Sequence, residues 1–240
     1  MAWAKAQYGD DEATRIRGAN QNNGNAGANI MRAGYSFIKR YALKMRFSIC
    51  LIALLLCACA PTSGLNLGFY PDPEASPEKF IVCHGYGCSE RSYAELTSKQ
   101  WKSIERIFRK KSKTAKEERV QIYKAIAKIE DYVGNLVGLS DDQAKAPIIK
   151  SSNHELDCVD ETVNTTKYLN FLQDEGLLKF HRVGQPAYKG FLIDGTYPHN
   201  TATILENETG RAYVVDSYIY ANGKEPVIRP LEEWLKTKTL

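Results

Sequence analysis

The stretch NHELDCVDETVNTTKYLNFL, residues 153–172, places a cysteine in the first turn of a predicted helix. The exposed N–H groups and the dipole of a helix N-terminus favour the thiolate of Cys158, which is the nucleophilic form of the side chain. Acids crowd the same turn; they are Glu155, Asp157, Asp160 and Glu161. Because a carboxylate that points at the sulfur would raise the pKa of the thiol, we expect these acids to face away or to cap backbone N–H groups.

A nucleophilic thiol also needs a base and a group that orients the base. His199 begins a strand-like segment in YPHNTATILE, and Asp216 ends the next one in AYVVDSYIY. If these strands pair across the turn ENETGR, His199 and Asp216 come close to opposite each other. Cysteine, histidine and aspartate then form a triad in chain order. Each residue also has a purely structural interpretation, as a buried core thiol, a core histidine or a strand-end cap.

The hydrophobic periodicity predicts helices first and an antiparallel sheet afterwards, which is typical of an α+β domain. Thr97 with Gln100 forms a capping box before the first helix. The second helix is predicted to bury Val120, Tyr123, Ile126 and Tyr132 and to end at Gly134. The helices are predicted near 97–110, 118–134 and 158–172, and the strands at 187–194, 200–207 and 211–219. The segment IRPLEEWLKT is predicted to form a short helix or turn with Trp234 docked inward.

The charge distribution excludes a nucleic-acid-binding protein. The net charge is +4, and residues 1–44 alone contribute seven Lys/Arg against three Asp/Glu. Residues 59–240 hold 24 basic and 25 acidic residues, so the body of the chain is close to neutral. A near-neutral body lacks the basic footprint that binds phosphate backbones.

The segment MRFSICLIALLLCACAPTSG, which begins at Met45, predicts a secretion signal with a cationic start, a short apolar run and small residues. Its end resembles a bacterial lipoprotein processing box, which implies lipidation of Cys59 and a location in the cell envelope. Residues 1–44 are rich in Gly and Asn and are expected to be disordered, or to precede a true start at Met31 or Met45. We therefore divide the chain into 1–44, a signal peptide at 45–58, a flexible tether at 59–79 and a domain at 80–240.

Three cysteines belong to the predicted domain. In an oxidising compartment Cys83 and Cys88 can pair across the loop CHGYGC, which leaves Cys158 as an odd and potentially reactive thiol. An alternative is a zinc site built from Cys83, His84 and Cys88 with His154 or Cys158. That spacing lacks the paired ligands that are usual for zinc, so we predict no metal.

The blocks DCVDETVNTTKYL, PHNTATI and YVVDSY resemble the transglutaminase-like branch of the papain-like superfamily. With VCHGYGC, LDCVDE and GLLKFH, the chain from Phe80 onward resembles a group of uncharacterised bacterial transglutaminase-like cysteine proteinases. The resemblance implies a central nucleophile helix packed on a small antiparallel sheet, with Cys158 as nucleophile, His199 as base and Asp216 as orienting acid. It also implies an oxyanion hole with a donor upstream of the cysteine, for which Gln143, Asn153 and His154 are candidates.

These residues predict a lipid-anchored thiol hydrolase or acyltransferase that acts on amide bonds of a peptide or protein, without a metal or organic cofactor. An alternative is a catalytically inactive peptide-binding or scaffold module on the same fold. The location that the resemblance implies is the periplasmic face of the outer membrane, held by the lipid anchor. The sequence leaves the substrate and the oligomeric state open.

Overall fold

The part of the chain that the structure describes is a mixed α+β domain. The computed structural model describes residues 65–145, 154–190 and 197–237. The predicted signal at 45–58, Cys59 and the candidate Asn153 lie outside these residues. The described helices are α1 (Ser98–Glu105), α2 (Ala115–Val137), α3 (Cys158–Asp174) and α4 (Leu231–Trp234). The strands are β1 (Phe80–His84), β2 (Glu90–Ala94), β3 (His181–Val183), β4 (Ala187–Lys189), β5 (His199–Glu206), β6 (Ala212–Asp216) and β7 (Val227–Pro230).

Helix α3 is the centre of the domain and is buried on nearly every side. Leu169 and Leu172 are completely inaccessible to solvent, and even the polar Asn164, Thr165 and Thr166 are buried. Helix α3 packs against β5, the longest strand of the sheet. A helix that is enclosed in this way holds its first residue, Cys158, in a fixed place relative to the sheet.

Five strands form an antiparallel sheet in which β5 is the shared neighbour. The strand order is β3-β5-β6-β7, and β4 also pairs with β5. One step beyond the pair Ala202↔Val215 in the β5–β6 register, Thr201 stands opposite Asp216. His199 lies two residues further along β5 and therefore projects from the same face as Thr201. The histidine and the aspartate are thus diagonal neighbours rather than directly opposite each other.

A hairpin that the sequence pattern did not predict, β1–β2, precedes the helices and is closed by the disulfide Cys83–Cys88. The side-chain amide of Asn164 bonds the backbone of Cys83 twice, with both distances 2.8 Å. The carboxylate of Asp160 accepts the backbone N–H groups of Tyr86 and Cys88. These contacts fasten the disulfide loop to the N-terminus of α3.

Residues 65–79, which were predicted as part of a flexible tether, contact the domain. The Asp72 carboxylate accepts the backbone N–H of Ile81 at 2.8 Å and lies 2.6 Å from Lys167 Nζ. Leu65, Leu67 and Tyr70 pack beside the disulfide. The polar and proline-rich composition of this segment concealed these few anchoring side chains.

The sequence predicts that helix α2 ends at Gly134, but the helix continues to Gly138, which has a left-handed φ of 77°. Gly134 lies inside the helix, and a close neighbour accounts for the glycine there: a Cβ would lie 2.3 Å from Asn222 Nδ2. Of the predicted buried face, Ile126 is fully buried and Tyr132 packs against the core, whereas Val120 is exposed. Ile122 and Ile129, which the prediction did not include, are fully buried.

Candidate active site

The imidazole of His199 and the carboxylate of Asp216 meet at the end of the sheet. His199 Nε2 lies 2.9 Å from Asp216 Oδ2, and both side chains are almost inaccessible, at 3% and 1% exposure of the residues. A buried carboxylate at this distance fixes the orientation of the ring and favours a proton on Nε2. The other ring nitrogen, Nδ1, is buried and has no hydrogen-bond partner among the described residues. Nδ1 is therefore the atom of His199 that can accept a proton.

Trp234 covers the histidine–aspartate pair. Its indole Nε1–H donates to Asp216 Oδ2 at 2.8 Å, and its ring centroid lies 5.5 Å from that of His199. The Tyr218 ring lies on the histidine as well, at 5.1 Å between centroids. By excluding water, these aromatic rings strengthen the electrostatic interaction between imidazole and carboxylate.

Cys158 is the one free cysteine among the described residues and is the first residue of α3. Burial raises the pKa of its thiol to about 11, and the charges of Asp157 and Asp216 act in the same direction. Hydrogen bonds from the backbone N–H and the side-chain amide of Asn200 to the sulfur oppose that rise. In the free protein the thiol therefore keeps its proton near neutral pH, contrary to the expectation that the helix N-terminus alone would favour a thiolate.

The acids around Cys158 mainly bind backbone N–H groups, as their sequence positions predicted. Asp157 Oδ1 caps α3 by accepting from Val159 N and Asp160 N, at 3.0 and 2.9 Å. Asp160 completes the capping box and also holds the disulfide loop. Glu161 is buried, and burial together with neighbouring carboxylates raises its pKa well above the usual range. Only Asp157 adds appreciably to the rise of the Cys158 pKa, besides Asp216.

One cavity of about 260 Å³ joins these groups. Cys158, His199 and Asp216 all line it, and so does Trp234. Its remaining wall is aromatic and cationic; it comprises Lys145, Lys189, Tyr197, Pro198, Tyr218, Ile219, Tyr220, Val227, Arg229 and Thr237. The geometry thus gives a thiol, an oriented imidazole and a carboxylate access to one small space, although no hydrogen bond links the sulfur to His199 Nδ1.

Gln143 and His154, predicted as oxyanion donors, do not line this cavity. Both are exposed; the backbone N–H of Gln143 donates to Glu155 Oε2 at 3.4 Å, and the His154 ring stacks on that of His84. The zinc alternative is wrong, because Cys83 and Cys88 form a disulfide and so are not thiolate ligands. The described residues contain no other group of three or more His, Cys, Asp or Glu placed to hold a metal ion.

Sequence reasoning missed Asn200 and Arg229, and it placed Trp234 only as a docked residue. Asn200 directly follows His199, but strand alternation turns its side chain to the other face, towards the helix that carries Cys158. Trp234 lies 18 residues after the carboxylate that it contacts. Neither relation has a spacing that the sequence pattern could have revealed.

The fold and the site define a class, which is an α+β domain with a thiol and a histidine–aspartate pair on one cavity. Comparison of the chain with protein-family models, with curated proteins and with solved structures finds no match.

Proposed function

We propose that this chain is a thiol hydrolase or acyltransferase that acts on amide bonds of peptides or proteins, with a papain-like, transglutaminase-like arrangement of Cys158, His199 and Asp216. The observation that supports it best is the buried contact between His199 Nε2 and Asp216 Oδ2, while Nδ1, beside the cavity of the thiol, has no partner among the described residues. A base that is oriented on one nitrogen and vacant on the other is what a thiol nucleophile requires.

In this mechanism His199 Nδ1 takes the proton of the Cys158 thiol as the sulfur attacks the carbonyl carbon of the amide. The tetrahedral intermediate collapses by breaking the C–N bond, and the imidazolium returns the proton to the leaving amine. The acyl group then remains on sulfur as a thioester. Water or a second amine attacks this thioester, again with His199 as base, and releases an acid or a new amide.

A second candidate function is a catalytically inactive peptide-binding module on the same fold. It is favoured by the raised pKa of Cys158 and by the lack of a hydrogen bond from His199 Nδ1 to the sulfur. The enzyme is the better proposal because the aspartate and histidine are held together at the cost of burying a carboxylate. A module that only binds a ligand has no need of an oriented base.

The experiment is to trap the acyl intermediate. The purified domain is incubated with a peptide library, quenched in acid and analysed by mass spectrometry. A hydroxylamine-labile adduct on Cys158 is expected, and it should disappear in Cys158→Ala and fall strongly in His199→Ala. If no adduct forms while peptide binding survives Cys158→Ala unchanged, the inactive binding module is the correct function.

We also propose that the domain is anchored in the bacterial envelope through a lipid on Cys59. The support is the signal-like segment at 45–58 and the small residues around the cysteine. Mass spectrometry of the mature protein from a bacterial host should give an N-terminal lipidated Cys59. A mature N-terminus elsewhere, or retention of residues 45–58, would contradict the anchor.

A further inference from the structure

The wall of the active-site cavity carries more positive than negative charge. Lys145, Lys189 and Arg229 line it, whereas Asp216 is the only acid among its lining residues in the described part of the chain. The Oδ2 atom of Asp216 is already engaged by His199 and by Trp234. The protein therefore leaves a cationic surface beside the thiol, in contrast to the near-neutral charge of the whole body.

Arg229 is the cation of this wall that is best placed to receive a ligand. It lies on β7, in register with Val214, and is only partly exposed. Within residues 65–145, 154–190 and 197–237 its guanidinium forms no ion pair with an acid. A partly buried arginine that has no carboxylate partner among the described residues is unusual, because burial of a charge costs free energy unless the charge is paired.

Lys189 adds a second positive charge close to Arg229. Its Nζ is held by the carbonyl of Trp234 at 3.1 Å and by the hydroxyl of Thr237 at 2.8 Å, and it lies 4.1 Å from the centroid of the Trp234 ring. Burial lowers the pKa of Lys189; the charge of Asp216 opposes this, while that of Arg229 adds to it. The two cations thus repel each other in a partly desolvated space, and an anion between them would relieve that repulsion.

We propose that Arg229, supported by the charge of Lys189, is an anion-binding subsite of the cavity, and that the substrate carries a carboxylate close to the amide bond that is cleaved. The statement that the carboxylate belongs to a substrate rests on the proposed function, but the anion site itself does not. Arg229 makes the direct contact, since a guanidinium can bind both oxygens of a carboxylate. Lys189 contributes mainly its charge, because neighbouring oxygens already occupy its donors.

The test compares two alkylating reagents of nearly equal size, iodoacetate and iodoacetamide, which differ in charge. The rate of modification of Cys158 by each reagent is measured by mass spectrometry, and the iodoacetate rate is divided by the iodoacetamide rate. This ratio is then divided by the same ratio for N-acetylcysteine. An anion subsite should raise this normalised ratio by roughly threefold to tenfold at low salt, and about 1 M NaCl should reduce it. A normalised ratio of one would overturn the proposal.

Three variants assign the effect to its residue. Arg229→Gln should bring the normalised ratio close to one, whereas Arg229→Lys should keep most of it because the charge remains. Arg109→Gln is the matched control: Arg109 is exposed and lies outside the cavity, so the same loss of charge should leave the ratio unchanged. An elevated ratio that persists in Arg229→Gln would show that another cation is responsible and would refute the assignment.

Two sources of the carboxylate can be separated with small probes that protect Cys158 from iodoacetamide. N-acetylglycylglycine is compared with its C-terminal amide to test a chain terminus. N-acetylglutamate α-amide is compared with N-acetylglutamine α-amide to test an acidic side chain. The carboxylate member of at least one pair should protect at a concentration several-fold lower than its amide, and this difference should vanish in Arg229→Gln. Equal protection within both pairs would contradict a carboxylate in the substrate.

The anion subsite and the proposed catalytic function can be refuted independently. If the reagent ratio is raised through Arg229 but no acyl adduct ever forms on Cys158, the anion subsite stands and the catalytic function falls. If acyl adducts form while the ratio equals that of the free thiol, the catalytic function stands and the anion subsite falls.

Discussion

Replacing His199 with alanine tests whether the histidine makes Cys158 more reactive than a buried thiol is by itself. In the proposed mechanism, Nδ1 of His199, whose Nε2 is held by the buried carboxylate of Asp216, takes the proton of the thiol. In His199→Ala the thiol retains only its local environment. Burial and two nearby carboxylates then keep its pKa near 11, because the hydrogen bonds from Asn200 offset only part of the rise.

The expected size follows from this pKa. At about pH 7.4 roughly one thiol in 4,000 is ionised when the pKa is about 11, against roughly one in 14 for a free cysteine. The thiolate of higher pKa is intrinsically more nucleophilic by roughly tenfold, which recovers part of this difference of about 300-fold. His199→Ala should therefore react with iodoacetamide about 30-fold more slowly than N-acetylcysteine.

The assay is the second-order rate of alkylation between about pH 6 and pH 10, followed by mass spectrometry of the intact protein. The rate for His199→Ala should rise about tenfold per pH unit through this range, whereas the wild-type rate should be higher near neutrality and less steep. His154→Ala is the matched control, because His154 is exposed and lies outside the cavity. Superimposable profiles of wild type and His199→Ala would refute the role of His199 as base.

Three further predictions concern stability, measured by denaturant unfolding. Trp234→Phe removes the buried N–H that donates to Asp216, so it should cost about 1.5–3 kcal/mol and reduce the alkylation rate of Cys158. Burial raises the pKa of Asp142 to about 8. The stability that this carboxyl group contributes is therefore complete below about pH 4 and is lost as the pH rises to about 8. Through that pH range Asp142→Asn should become more stable relative to wild type. Reducing the disulfide of the six-residue loop should cost about 2 kcal/mol.

Each of these predictions has its own check. Trp101 Nε1 is buried without a partner among the described residues, so Trp101→Phe removes an indole N–H without removing a hydrogen bond. Equal losses in the two tryptophan variants would show that ring packing, not the bond to Asp216, matters. A stability difference for Asp142→Asn that stays constant with pH would contradict the raised pKa. Unchanged stability after reduction would mean that the contacts of Asn164 and Asp160 alone hold the disulfide loop.

The sequence was sufficient for elements whose signals are local. The capping box at Thr97 forms as predicted, and so do the strands on both sides of the turn ENETGR. The sequence failed where a distant neighbour decides the local structure. Gly134 resembles a helix-end signal in the sequence, yet it lies inside α2, where Asn222 packs closely against it and favours a residue without a Cβ. The β1–β2 hairpin was missed because positive φ angles on Tyr86 and Cys88 break the usual turn pattern.

The same division applies to the candidate site. By itself the sequence determined the residue types, the helix start that carries Cys158 and the strands that carry His199 and Asp216, because capping and alternation are local properties. Only the tertiary structure decided the diagonal register that brings imidazole to carboxylate, the tryptophan that covers them and the burial that raises the pKa of the thiol. These features depend on contacts between distant segments, and the free energy of packing, rather than any residue pattern, selects them.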